Sequence, residues 1–220
     1  MDGSGELFAD LRTALPDTLE THAVRYPANC SSYPELADIV RVAAPVTVPF
    51  VLVAESFSTP LAIQYAATNP ENLKGLILCA GFAASPVWGL KRAVISLLTP
   101  VLVRMTLPKF AAQHLLVGPN APTTLLKAVQ SAVSSVSPRV LSARVRAVLR
   151  CDVHAELARL AVPILYIRAK HDRLVSVSCS EEIQRIQPRV EVVSIDGPHL
   201  ILQREPERTA GIIARFVQRL

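Results

Sequence analysis

A chain of 220 residues, 50% apolar and 19% charged, can bury one core of ordinary size and is too apolar to stay disordered. Its formal net charge of +5 does not suit a nucleic-acid binder, because stacking aromatics do not interleave the basic residues. The longest apolar-looking stretch, residues 93–103, is interrupted by Ser96, Thr99 and Pro100 and falls short of the roughly 20 residues a spanning helix needs.

The chain opens Met1-Asp2-Gly3-Ser4-Gly5-Glu6, without the basic start and apolar run of a secretory signal. Its four cysteines, Cys30, Cys79, Cys151 and Cys179, are scattered and form no Cys-x-x-Cys pair, so a reducing, cytoplasmic setting is the expectation.

In chain order, residues 21–26 read as a weak strand closed by Pro27. A helix is expected over 33–43, with Pro34 in the first turn, where its missing N–H is not needed. Residues 50–54, Phe-Val-Leu-Val-Ala, form an apolar run without alternation, as in a parallel strand covered on both faces. The run leads directly into Glu55-Ser56-Phe57-Ser58-Thr59-Pro60 and a helix over 60–68. A serine at such a strand–turn–helix elbow is held with its hydroxyl above the carboxyl edge of the sheet, provided that small residues flank it two positions away. Here Ala54 and Ser58 take the places usually given to glycine. An ordinary βα loop serine is the alternative.

The next strand is expected at 75–79. Residues 85–159 then show no strand pattern but several helical ones, broken by Pro100, Pro108, Pro119, Pro122 and Pro138. They read as a helical cap inserted into a single domain spanning 1–220. No acidic residue occurs between Glu71 and Asp152, whereas Lys91, Arg92, Arg104, Lys109, Arg139, Arg146 and Arg150 fall there. A solvated helical face explains that bias; so does attraction to an anionic carrier or a lipid surface. Trp88, Leu97, Leu98, Leu102, Met105 and Leu107 are candidates to line an acyl pocket, or to pack cap against body.

A third strand at 163–167 is followed within five residues by Asp172, and a fourth at 190–195 by Gly197-Pro198-His199, with helices over 180–186 and 207–220. Strands alternating with helices imply right-handed βαβ units and a mostly parallel α/β sheet. Ser56, Asp172 and His199 each follow a strand, so they share one sheet edge, where open α/β sheets place their sites. Serine, acid, histidine is a known chain order for a catalytic triad. Asp172 alone could equally cap a turn or pair with Lys170 or Arg173. His22, His114, His154 and His171 fit the third role less well.

On residues 1–8, Glu55-Ser56-Phe57-Ser58 and Gly197-Pro198-His199, the chain resembles the α/β-hydrolase family over nearly its whole length. The resemblance implies a serine esterase that forms an acyl-Ser56 intermediate and needs no cofactor or metal. It also implies an oxyanion hole made by the N–H of Phe57 and that of Met1 or Asp2. The substrate would be a small-molecule acyl ester, or a thioester for a thioesterase or acyltransferase. A homologue that binds a ligand without turnover is a further alternative. Similar proteins have more strands before the oxyanion loop and often glycine at the position of Thr59. A sheet without those strands is expected to leave the elbow strand's outer edge open, or to close it with another strand or a second chain.

Overall fold

The computed structural model describes residues 3–87, 89 and 113–220. Its sheet holds four strands, β1 (Phe50–Glu55), β2 (Leu73–Cys79), β3 (Ile164–Ala169) and β4 (Glu191–Ile195), all parallel and ordered β1-β2-β3-β4. Pairing runs Glu55 to Cys79, Leu78 to Tyr166 and Ala169 to Ile195, so the carboxyl ends of all four strands reach one edge.

Around the sheet lie α1 (Ala9–Ala14), α2 (Tyr33–Ala43), α3 (Thr59–Ala66), α4 (Thr123–Ser134), α5 (Pro138–Arg150), α6 (His154–Ala158), α7 (Val177–Ile186), α8 (Ile201–Arg204) and α9 (Pro206–Val217). Strand side chains alternate between two apolar layers. Leu76, Leu78, Ile164 and Tyr166 meet Ala62 and Ile63 of α3, Leu157 of α6 and Ile183 of α7. Ile77, Cys79, Leu165 and Ile167 face the other way, onto Leu11 of α1, Ile201 of α8 and Ile213 and Phe216 of α9. Burying a side chain of this size contributes about 1.5–3 kcal/mol, and both faces are covered, which is why the strand sequences do not alternate.

One expectation needs correction, and one helix was not foreseen. Residues 21–26 form no strand: they run as irregular chain, with the Tyr26 N–H bonded to the Gly3 carbonyl. Val24 and Tyr26 still pack against the cluster of Tyr33, Leu36 and Phe57, but among the described residues no strand lies beside the segment to pair with it. Residues 1–8, matched above to the family's oxyanion loop, include a 3₁₀ turn (Glu6–Phe8), and residues 9–14, given no element above, form α1. Among the described residues no strand pairs with the outer edge of β1.

Helix α2 starts as its sequence suggests. The Ser32 hydroxyl accepts from the Glu35 N–H, and the Glu35 carboxylate accepts from the Ser32 N–H, closing a capping box with Pro34 in the first turn. The N–H groups of Ser32 and Ser31 and the Ser32 hydroxyl, all donating to the carboxylate, hold the Glu35 carboxyl below its ordinary pKa.

The inserted helices are tied to this body by Arg144 of α5, which is 0% exposed. Its Nε donates to the Cys30 carbonyl at 3.0 Å, and one terminal nitrogen donates to the carbonyls of Pro27 (2.9 Å) and Cys30 (2.8 Å). Arg144→Ala removes both guanidinium donors from the Cys30 carbonyl and leaves the Pro27 carbonyl with the Cys30 N–H alone, and a hydrogen bond from a charged donor is worth about 1.5–3 kcal/mol. A loss of about 3 kcal/mol is therefore expected in denaturant unfolding, and Arg144→Lys should restore only part of it, because an ammonium lacks the planar fork. A loss under about 0.5 kcal/mol would show that the buried guanidinium does not hold these two segments together.

Candidate active site

The serine elbow forms at the end of β1. A 3₁₀ turn (Ser56–Ser58) joins the strand to α3, and Ser56 takes φ of 50°, a left-handed conformation disfavoured for any residue with a Cβ. The turn aims its Oγ over the sheet edge. Ala54 is buried beneath it, and the Ser58 hydroxyl accepts from the Tyr26 hydroxyl at 3.0 Å. Burial raises the Tyr26 pKa, keeping that phenol a donor.

Thr59 explains how the elbow dispenses with one more glycine. Its hydroxyl donates to the Ser56 carbonyl at 2.8 Å and accepts from the Phe82 N–H at 3.1 Å. The space comes from the other side: a Cβ on Gly81 would lie 2.3 Å from the Thr59 methyl. Tyr166, on β3, fixes that loop by donating to the Gly81 carbonyl at 2.8 Å and accepting from its N–H at 3.0 Å. The small residue has moved from the elbow to the strand-end loop facing it.

Asp172 lies in the loop after β3. Its Oδ1 accepts from the N–H groups of Leu174 (2.8 Å) and Val175 (2.9 Å). Its Oδ2 is 2.8 Å from Nδ1 of His199, which follows β4. The two loops are stitched by bonds from the Lys170 N–H to the Ile195 carbonyl and from the His171 N–H to the Gly197 carbonyl. His199 Nε2 lies 2.8 Å from Ser56 Oγ. The side chains of His199 and Asp172 are only 4% and 5% exposed, so little water competes for these bonds. An ionised Asp172 only accepts, which puts the imidazole proton on Nδ1 and leaves Nε2 to receive the serine proton. The group as arranged can generate an alkoxide-like oxygen and absorb its proton.

Ser56, Asp172 and His199, three residues singled out in sequence, thus stand in one hydrogen-bonded line. The other histidines do not join it. His171 pairs with Asp196 at 2.7 Å, His154 lies beside Asp152 and Glu182, His114 contacts Arg173, and His22 is exposed. Phe57 follows Ser56 at the start of the turn, where helix N–H groups lack intrahelical acceptors. Its ring stacks on Tyr33 at 5.1 Å, and its carbonyl accepts from the Tyr33 hydroxyl at 3.2 Å. Met1 and Asp2, the other oxyanion candidates, lie outside the described residues, as do Trp88, Leu97, Leu98, Leu102, Met105 and Leu107.

Sequence reasoning passed over a pair beside this line, the half-buried Glu55 and the buried Gln203. The Gln203 amide donates to Glu55 Oε2 at 2.9 Å. An acid ending an apolar strand was a visible signal for Glu55, but nothing in the sequence named its partner. Among the described residues no cluster of His, Cys, Asp and Glu could hold a metal ion, and no helix is long and apolar enough to cross a membrane.

Known proteins share this architecture. A hydrolase from Oleispira antarctica superposes with a TM-score of 0.85 at 12% identity, covering 100% of this chain and 89% of that one. An esterase from Thermogutta terrifontis superposes with a TM-score of 0.77 at 20% identity, covering 98% and 86%. In sequence, the chain is 26% identical to a pimeloyl-[acyl-carrier protein] methyl ester esterase of Xanthomonas oryzae pv. oryzae, over 97% of this chain and 90% of the relative. The family described as serine aminopeptidase, S33, matches residues 26–206, and the chain belongs to that family of α/β-hydrolases.

Proposed function

We propose that the chain hydrolyses carboxylic esters through an acyl-serine intermediate. Ser56 is the nucleophile, His199 the general base and then acid, and Asp172 the residue that orients the imidazole. The observation that carries this reading is the unbroken line from Asp172 Oδ2 through His199 to Ser56 Oγ, with both bonds at 2.8 Å.

In this mechanism Ser56 Oγ attacks the ester carbonyl carbon as its proton passes to Nε2 of His199. The negative charge that develops on the carbonyl oxygen is met by the Phe57 N–H and by a donor from the start of the chain, Met1 or Asp2. One such donor typically lowers the barrier by about 3 kcal/mol. Imidazolium then returns the proton to the departing alkoxide. Water, deprotonated by His199, releases the acid and regenerates the serine. We assign residues 1–220 to one domain and about 85–159 to a cap that walls the acyl pocket with Trp88, Leu97, Leu98, Leu102, Met105 and Leu107.

A second reading concerns what carries the acyl group. Arg146 and Arg150 of α5, with one acid, Asp152, line a cleft of about 440 Å³ that also touches Ser32, Tyr33 and Gln64. Together with the acyl-carrier-protein ester named for the Xanthomonas relative, this favours an acyl group presented on an anionic carrier, as ester or thioester.

Both readings are tested with one panel: p-nitrophenyl acyl esters, an acyl thioester and an aminoacyl p-nitroanilide, alongside fluorophosphonate labelling located by peptide mass. Labelling at Ser56 and turnover of the oxygen esters are expected. Preference for the thioester would favour the carrier reading, and preference for the anilide would replace the ester assignment by peptide hydrolysis. Absence of both labelling and turnover would leave a ligand-binding homologue.

A further inference from the structure

Directly before Ser56, and inside the protein, sits an acid whose hydrogen bonds do not close. Part of Glu55 reaches the surface, but its Oε1 is buried and has no hydrogen-bond partner. Its neighbour Gln203, on α8, is buried as well. Its Nε2 donates to Glu55 Oε2 at 2.9 Å, while its own Oε1 is likewise buried and unpartnered. A buried acceptor left unmatched costs about 1–3 kcal/mol, and here two stand on the same pair of side chains. An ionised carboxylate can only accept, and the amide oxygen can only accept, so no rotation of either group closes the gap. One proton would.

We propose that Glu55 is held as the neutral carboxylic acid, giving its proton to the amide oxygen of Gln203 in a closed acid–amide pair that pins the His199 turn to the strand carrying Ser56. The inference rests on the catalytic reading of Ser56 and His199 and makes Glu55 and Gln203 positioning residues. Gln203 lies four residues after His199, and Glu55 immediately precedes Ser56. The pair therefore spans the elbow and the histidine turn without touching the reacting atoms.

The surroundings favour the proton. Burial, the largest influence, pushes the Glu55 pKa above its ordinary value, although the Gln203 amide, the nearby His199, the Leu202 N–H and the positive charge of the N-terminus pull it down. Across the sheet the paired Cys79 is fully buried, and its thiol is pushed well up, chiefly by burial and further by Glu55. Neutrality also protects the relay. A second carboxylate beside His199 would stabilise imidazolium and hold back the base, whereas a neutral acid leaves Asp172 as the only anion the imidazole answers to.

Glu55→Gln separates the alternatives, because an amide supplies both hydrogen bonds and no charge. The fold is expected to persist, and the acid limb of the kcat/KM profile, set by His199, should stay where it is. If Glu55 were ionised, losing its charge would remove an anion that favours imidazolium and move that limb about one unit towards acid. Such a movement, or failure of the variant to fold, overturns the proposal. Glu55→Ala should lower kcat by about 10- to 100-fold through misplacement of the imidazole, with KM nearly unchanged, and glutamine should rescue most of it.

Two further readouts do not depend on activity. A protonated-carboxyl stretch should appear in the infrared spectrum of the wild-type protein at neutral pH and vanish in Glu55→Gln; its absence from the wild type overturns the proposal. The other is stability. A raised folded pKa means that the wild type loses stability, relative to the glutamine variant, as pH rises above the ordinary value of 4.5. The gap should widen with pH and disappear below 4.5; a gap that stays constant counts against the neutral acid. If Ser56 proves not to be the nucleophile, the pH profile loses its meaning, but the infrared and stability results still decide the state of Glu55.

Discussion

Ser56→Ala is expected to lower turnover of a p-nitrophenyl acyl ester by roughly a million-fold, as loss of a triad nucleophile does in serine hydrolases. The size follows from the chemistry: without Oγ there is no acyl-enzyme, and His199 has no proton to take. Residual catalysis of about 10³–10⁴ over water can survive from binding and oxyanion stabilisation alone. Fluorophosphonate labelling should vanish with turnover. The fold should remain, because Ser56 donates no bond that its neighbours need: Thr59 secures the turn through the Ser56 carbonyl, not the side chain. Alanine does keep a Cβ at φ of 50°. Ser56→Gly should therefore be equally inactive and about 1 kcal/mol more tolerant of that conformation, unless the freedom gained by the unfolded chain cancels the benefit. An alanine variant that kept more than about a thousandth of the activity would remove Ser56 from the nucleophile's role.

The elements legible in the sequence share a physical cause. The four strands stand out because both faces of the sheet are buried, so 50–54, 75–79, 163–167 and 190–195 are apolar without a break. Their limits come within about two residues of the observed ones. Ser56, Asp172 and His199 were legible for the same reason, since each follows such a strand and a parallel sheet brings those ends together. What was hidden depends on partners far along the chain. Glu55 meets Gln203 across 148 positions, Arg144 meets Cys30 across 114, and Tyr166 meets Gly81 across 85. No local pattern encodes such pairs. Helix α1 was missed because a segment this short is stabilised less by propensity than by docking; Leu11 packs on the α8–α9 face of the sheet. Residues 21–26 failed in the opposite sense, having a passable local pattern and no neighbouring strand to complete it.

Asp172→Asn is the sharper test of the relay, because it removes one function of that side chain and spares another. Oδ1 holds the turn through the Leu174 and Val175 N–H groups, and Oδ2 receives His199 Nδ1–H. In the variant the amide oxygen should keep the turn, since two backbone donors demand an acceptor there. The amide nitrogen then faces His199, and a donor facing Nδ1 forces the imidazole proton onto Nε2. That proton points at Ser56 Oγ, 2.8 Å away, so the base can no longer accept. A fall in kcat of about 10⁴-fold is expected, with KM little changed and the unfolding midpoint preserved. Asp172→Ala should differ by losing the turn as well, adding about 1 kcal/mol of destabilisation for the two lost hydrogen bonds to N–H groups that water can partly reach. If the asparagine variant stayed within about tenfold of wild type, the tautomer would not matter, and Asp172 would belong to the turn alone.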